Sequence, residues 1–399
     1  MKALATRLSR VSPSMTVAID TKAKELKAQG KDVIGLGAGE PDFDTPDYIK
    51  AAAIKSIEDG LTKYTPPAGI LSVKEAICKK LLNENGVSYD PTQIVISSGA
   101  KHCISNVFTA LIEEGDEVII PAPFWVTYPE LVKLYGGTPV VVSAGVENNF
   151  KITPEQLEAT ITPNTKIFIL NSPSNPTGAV YNDAELEAFA EICVKHDIYV
   201  MADEIYEHIT YDGVACRSIA SFGEEIKELT IIVNGVSKCF SMTGWRIGYI
   251  AATSAIAKGI SKVQSQATHH PANASQYAAQ AALEGGLEFV GTMNKEFIKR
   301  RDYILSELRS IEGVRVPTPE GAFYVFPDVG PYIGKSFQGK KLLTSIDLCA
   351  YLLEEQLLAI VPGAAFGADT CVRLSYATSM QNIEGALVRL KAGLAALED

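Results

Sequence analysis

Asn234-Gly-Val-Ser-Lys-Cys-Phe-Ser-Met-Thr-Gly-Trp-Arg-Ile-Gly-Tyr249 joins two apolar runs, residues 229–233 before it and 247–252 after it. Both runs read as buried strands, neighbours in one sheet. Between them stand one lysine, Lys238, and one arginine, Arg246, among small and hydroxyl residues. A lysine walled in by Phe240, Met242 and Trp245 is costly to keep charged. Desolvation lowers its pKa and frees a neutral amine for Schiff-base chemistry. The arginine stays charged, and its planar fork suits a phosphate or a carboxylate. Taken alone, the pair also fits two solvated side chains on a turn.

Working outward, residues 46–252 alternate helix and strand. Helices are expected over 48–59, 71–85, 101–113, 129–135, 154–159 and 183–196, and strands over 93–97, 117–121, 139–143, 166–171 and 198–203, besides the two runs above. Strands this apolar call for an α/β fold, a mostly parallel sheet of seven strands covered on both faces. Before it come an irregular arm (8–16), a helix (17–29) and a short strand at 33–34 entering the glycine-rich loop Gly35-Leu-Gly-Ala-Gly39. After it comes a long helical region (254–310), then strands at 314–317, 321–327, 358–361 and 371–375 with helices at 345–356 and 383–397. That tail reads as a smaller α+β domain joined by the N-terminal arm. The expected division is 1–45, 46–295 and 296–399, with a ligand cleft between sheet and cap.

The chain has 399 residues, enough for two or three domains, and 47% hydrophobic content gives ample core. No apolar run approaches the ~20 residues of a membrane span. A net charge of -11 argues against a nucleic-acid surface. Seven scattered cysteines without a Cys-x-x-Cys indicate neither a zinc site nor a disulfide framework. With no apolar signal core near the start, a cytoplasmic setting is expected.

Ligands of a parallel sheet collect at the carboxyl ends of strands, and the singular polar residues fall there. Ser97-Ser-Gly-Ala-Lys101 ends a strand and opens a helix, which suits a phosphate, although an ordinary helix start reads the same way. Asn175 sits in a Pro/Gly turn after the strand ending at Asn171. Asp203, followed by Tyr206, ends a strand so apolar that its carboxylate needs a cationic partner to stay ionised; a helix-capping role is the plainer alternative. Trp125 offers a face for stacking on a flat ring. Arg373, amid an apolar strand, is either paired across the sheet or aimed inward at an anion.

The string Ser-Lys-x-x-x-Met-Thr-Gly-Trp-Arg-x-Gly-Tyr around Lys238 resembles the cofactor-lysine segment of the class I and II aminotransferases, which use pyridoxal 5'-phosphate. The likeness covers the chain from Pro13 to the C-terminal helix and is strongest to the bacterial-type (subgroup Ib) aspartate aminotransferases. It implies the fold type I of pyridoxal-phosphate transferases and a homodimer with shared active sites. At matching positions it implies that Lys238 forms the Schiff base and shuttles the proton. Asp203 pairs with the pyridine nitrogen, Tyr206 and Asn175 bond the ring oxygen, and Trp125 stacks. The resemblance gives the phosphate to Gly99, Ala100, Ser237 and Arg246, with Tyr64 from the second subunit, and counts Lys101 among the residues around the cofactor. It gives the substrate to Gly39, Trp125, Asn175 and Arg373, the last gripping the α-carboxylate.

For the substrate side chain, the subgroup meets a distal carboxylate with the lysine matched by Lys101, with Ser14 and Thr16 nearby, so a dicarboxylic substrate is expected: transfer from L-aspartate to 2-oxoglutarate. Relatives acting on prephenate carry Lys or Arg where this chain has Ser12, which speaks against that activity. His269 and His270 depart from the pattern and either admit aromatic or bulkier substrates or simply lie at the surface; an aromatic or broad-range transaminase, or a β-lyase on the same fold, stays open. A regulatory module fused to a DNA-binding domain is disfavoured, since no helix-turn-helix or basic segment is present.

Overall fold

The computed structural model describes residues 4–13 and 15–399. Seven strands form one sheet in the order Ile94–Ser97, Gly248–Ala251, Thr230–Gly235, Tyr199–Asp203, Thr165–Asn171, Glu117–Ala122 and Thr138–Ser143. Gly248–Ala251 runs antiparallel to both neighbours, and the other four pairings are parallel. The mostly parallel seven-stranded α/β sheet implied by the apolar runs is thus present. Ile167 and Ile169 face the helices Ala100–Leu111 and Ser254–Ala267, while Phe168 and Leu170 face Asp183–His196. This two-residue alternation lets a wholly apolar strand serve two cores. Each fully buried Ile, Leu or Phe contributes about 1.5–3 kcal/mol. Asn182 starts the helix after its loop through a reciprocal capping box with Glu185.

Strand register decides where the polar residues emerge. Asn171 lies opposite Asp203, and Asp203 opposite Val233, so two parallel strands end level while the third runs on to Gly235. Gly248 pairs with both Ser97 and Gly235. The chain therefore leaves the sheet at Asn171, Asp203 and Gly235 along one edge.

Beyond the long helix Glu288–Arg309, a three-stranded antiparallel sheet (Val361–Pro362, Val372–Ser375, Tyr324–Val325) packs with helices Ser345–Glu355 and Met380–Ala395. Phe297, Phe323, Leu352, Tyr376 and Leu390 share their core. Ile34–Gly35 pairs in parallel with Leu358–Ala359, which draws the N-terminal segment into this layer.

Three expectations need correction. Residues 314–317 form no strand; Arg315 makes a single bridge to Asp328, because Gly313 turns at φ 76° and Pro317 has no N–H to give. Of 321–327 only Tyr324–Val325 forms a strand, with Gly321 making a single bridge to Thr210, since Ala322 between them is left-handed. Residues 358–361 divide between two sheets at Ile360. The expected helical region 254–310 is present as three helices, Ser254–Ala267, Asn273–Glu284 and Glu288–Arg309, broken where His269 and Gly286 take positive φ. A short helix, Glu224–Leu229, also precedes the strand begun at Thr230.

Candidate active site

A cavity of about 510 Å³ opens at the carboxyl ends of the parallel strands, closed on its far side by Gly37–Glu40, Tyr324 and Arg373. Its organising amine is Lys238. The chain leaves Thr230–Gly235, makes backbone bonds from Phe240 N to Val236 O and from Met242 N to Ser237 O, and turns back through left-handed Ser241 and Arg246. Lys238 Nζ donates to Gly39 O at 2.5 Å. Burial first, then the positive charges of Arg373 and Arg246, bring its pKa down to about 8, against the opposing pull of Glu40 and Asp203. A substantial neutral fraction near neutrality is what a Schiff-base amine needs.

Asp203 is buried, and that burial raises its pKa; Tyr128, the Ile205 amide and Lys238 oppose the rise. The Tyr128 hydroxyl donates to Oδ2 at 2.6 Å and Ile205 N to Oδ1 at 3.3 Å. Such a carboxylate is a ready partner for a cation brought by a ligand. Tyr206 hydrogen-bonds the Tyr324 hydroxyl at 2.8 Å, and burial lifts its pKa well above the usual value. Trp125 lines the cavity edge-on to Tyr128.

Arg373 is aimed inward and is 3% exposed. Nη1 donates to Asn175 Oδ1 at 2.9 Å and Nη2 to Gly37 O at 2.7 Å, while buried Nε has no partner. The guanidinium lies 4.5 Å from the Tyr324 ring centre. Among the described residues no carboxylate pairs with it.

On the opposite rim, Gly99 (φ 88°) precedes the helix Ala100–Leu111, whose first turn has no acidic residue and no side-chain cap. A Cβ on Gly99 would lie 2.3 Å from Arg246 Nη2, and one on Gly248 would lie 2.4 Å from Ala100 N. Glycine at both positions lets arginine, helix start and strand crowd together. Arg246 Nη1 donates to Thr243 O at 2.8 Å and Nη2 to Ser98 O at 3.4 Å. Ser237 is buried beside them. Lys101, also on the rim, holds Nζ 5.0 Å from the Trp125 ring centre, its pKa lowered by burial and by Arg246.

The fold thus gathers Lys238, Asp203, Tyr206, Asn175, Arg373, Trp125, Gly39, Ala100, Lys101, Ser237 and Arg246 around one cavity, with Gly99 directly behind Arg246. Tyr64 is not among them: it is 89% exposed and sits against His269 and His270 in a separate hollow. Ser14 and the Thr16 side chain lie outside the described residues. Tyr128, Tyr324, Glu40 and Thr243 line the cavity without having been singled out. Tyr128 had a signal, three residues past Trp125; Tyr324 had none, being supplied by the second layer.

Residues 31–390 match the family described as aminotransferase class I and II. The chain belongs to that family, and enzymes of the aspartate aminotransferase type in it use pyridoxal 5'-phosphate. The chain is 49% identical over 399 residues to an aspartate/prephenate aminotransferase of Cereibacter sphaeroides, covering 100% of both. It is 49% identical over 387 residues to an aspartate aminotransferase of Geobacillus stearothermophilus, covering 97% of this chain and 98% of the other. Among solved structures, the aspartate aminotransferase of Rhizobium meliloti superposes with a TM-score of 0.96 at 42% identity, covering 100% of both chains. That of Thermus thermophilus with maleate gives 0.93 at 42%, covering 98% of this chain and 100% of the other. The residues present fit the cofactor: an amine of lowered pKa, a buried carboxylate, and a cationic glycine-lined helix start suited to a phosphate.

Proposed function

We propose that this chain is an aspartate aminotransferase: the amino group of L-aspartate passes to the enzyme, releasing oxaloacetate, and then to 2-oxoglutarate, giving L-glutamate. The observation that carries this is a buried arginine, Arg373, without an anionic partner among the described residues, facing the same cavity as an amine of pKa about 8. Bound pyridoxal 5'-phosphate supplies an electron-poor ring that takes up the electron pair left when the Cα–H bond breaks.

The chain's own residues do the rest. Neutral Lys238 removes the Cα proton and returns it on the other side of the exchange, as a base near its own pKa can. Asp203, steadied by Tyr128, holds the ring nitrogen protonated. Tyr206 and Asn175 bond the ring oxygen and Trp125 stacks on the ring. Gly99, Ala100, Ser237 and Arg246 hold the phosphate. Arg373 orients the α-carboxylate with its remaining donors, Gly39 lies beside it, and Lys101 meets the distal carboxylate. The maleate held by the Thermus relative is a dicarboxylate, in keeping with that pairing.

The second reading is a wider substrate range in which prephenate, a 2-oxo acid, also serves as amino acceptor, favoured by the name of the Cereibacter relative; Ser12, whose amide donates to Glu130 Oε2 at 2.6 Å, weighs against it. The protein acts as a homodimer, supported by exposed Tyr64 beside exposed Ile57 and Leu61, with Tyr64 completing the partner's phosphate site. The division 1–45, 46–295 and 296–399 is supported by the Ile34–Leu358 pairing, with the helix Glu288–Arg309 crossing the second boundary. A cytoplasmic setting accords with the described residues having no helix long and apolar enough to cross a membrane. Half-reactions of the cofactor-loaded protein with L-aspartate, L-tyrosine and cystathionine, read by the change in visible absorption, test the assignment. Tyrosine outpacing aspartate by about tenfold, or ~1.4 kcal/mol of transition-state binding, would overturn it.

A further inference from the structure

The turn Asp203-Glu-Ile-Tyr-Glu207 presents Asp203 and Tyr206 to the cavity and turns Glu204 and Glu207 away from it. Glu207 is buried on that far side. It accepts from Lys80 Nζ, from Asn85 Nδ2 at 2.7 Å and from Asn234 Nδ2 at 2.6 Å. Lys80, on the helix Leu71–Asn85, is also buried and donates to Asn85 Oδ1 at 2.7 Å. Next to Glu207, His208 Nε2 lies 2.8 Å from Glu84 Oε2, and its backbone carbonyl accepts from Asn294 Nδ2 on the helix Glu288–Arg309. Asn234 is four residues before Lys238 and also caps Gly235 N through Oδ1 at 2.7 Å.

One carboxylate therefore touches three separate segments. It carries the turn that bears Asp203 and Tyr206, it bonds the strand that leads to Lys238, and it is gripped by the helix behind both. Burial raises the pKa of Glu207, but Lys80 and His208 overcome that and hold it below the usual carboxylate range. Charge-assisted bonds of this kind are directional as well as strong. Their net effect on stability is another matter: replacing a buried pair by apolar residues is often neutral or stabilising, whereas removing one partner is not. A pair retained for stability alone is therefore a poor design. A pair retained for geometry is not.

We propose that Glu207, paired with Lys80, is a positioning residue that fixes the Asp203–Tyr206 turn against the Lys238 segment and so sets the spacing of acid and amine in the cavity. The inference rests on the function proposed above, and it deepens that reading.

The test compares the cofactor-loaded wild type with two variants. The double variant Lys80→Met/Glu207→Leu removes both charges together, leaving no orphaned ion. Asn234→Ala keeps the ion pair and removes its bond to the lysine-bearing strand, together with the cap on Gly235 N. For each, the melting temperature, the pH midpoint of the visible absorption band, kcat and KM are measured. The double variant should melt close to the wild type, yet its absorption midpoint should shift by about half a pH unit or more. Its kcat should fall about tenfold or more, the scale set by small misplacements of catalytic groups, with KM for aspartate little changed. Asn234→Ala should move the same midpoint in the same direction, and it decides alone if the double variant fails to fold. Wild-type midpoint and kcat in the variants that fold would overturn the inference. A wild type that shows no visible band with added cofactor would sink the proposed function itself, which is a separate failure.

Discussion

Replacing Arg373 by alanine removes a guanidinium with five N–H donors, of which one is engaged by Asn175 and one by Gly37. Three remain, including the unpartnered Nε, which is enough for a two-pronged grip on a carboxylate. Each charged hydrogen bond is worth about 1.5–3 kcal/mol, and truncating one member of a buried charge pair costs about 2–5 kcal/mol. A loss of about 3–5 kcal/mol in kcat/KM, or roughly two to four powers of ten, is therefore expected for Arg373→Ala. Because the α-carboxylate is common to all amino acids and is held in ground and transition states alike, the loss should appear mainly in KM. It should also be nearly equal for aspartate and alanine. Arg373→Lys should recover only part of it, since one ammonium cannot serve Asn175, Gly37 and a planar carboxylate together. Steady-state and half-reaction kinetics with both amino acids are the assay. A loss below about tenfold, or one confined to aspartate, would refute the placement of Arg373 at the α-carboxylate.

Three further outcomes are expected. In the cofactor-free protein Lys238 has a folded pKa of about 8, below its ordinary value of 10.5. The unfolded chain thus binds more protons between those values, and this group's penalty is full below pH 8 and fades as pH rises towards 10.5. The thermal advantage of Lys238→Met over wild type should shrink across that window; a gap independent of pH would contradict it. Lys101→Ala should reduce kcat/KM for aspartate by about tenfold while sparing alanine, as expected for one partly solvated charge pair, and equal losses would remove its assignment. Tyr128→Phe deletes the 2.6 Å bond to Asp203 and leaves the Ile205 amide on that carboxylate. Its kcat should fall by about 1.5–3 kcal/mol, roughly ten- to a hundredfold, and unchanged kcat would show that Asp203 needs no such support.

How much of the fold and site was legible in the sequence depends on how local each signal is. The central strands announce themselves because being covered on two faces demands unbroken apolar runs. Lys238, Asp203 and Arg373 stand out for the same reason, as polar groups where the pattern has no room for them. The roles proposed for Gly99 and Arg246 needed the family likeness, since a helix start has many explanations. Tyr324 could not be read at all: its hydroxyl meets Tyr206 only after the second layer folds over the sheet. The six-residue helix Glu224–Leu229 was too short to show a period, and residues 314–317 were apolar enough for a strand but lacked the donors to pair as one.

The level row of Asn171, Asp203 and Val233 makes the sheet a ruler, with the acid marked on one strand and the way to the amine on the next. Each residue along a strand advances about 3.3 Å, so removing one from Tyr199–Asp203 would withdraw the carboxylate by that much and also turn the strand's faces over. Substitutions on the helices that cover the sheet can be absorbed by repacking. A change in strand length cannot, and the permissible drift of this enzyme is confined accordingly to side chains and outer loops.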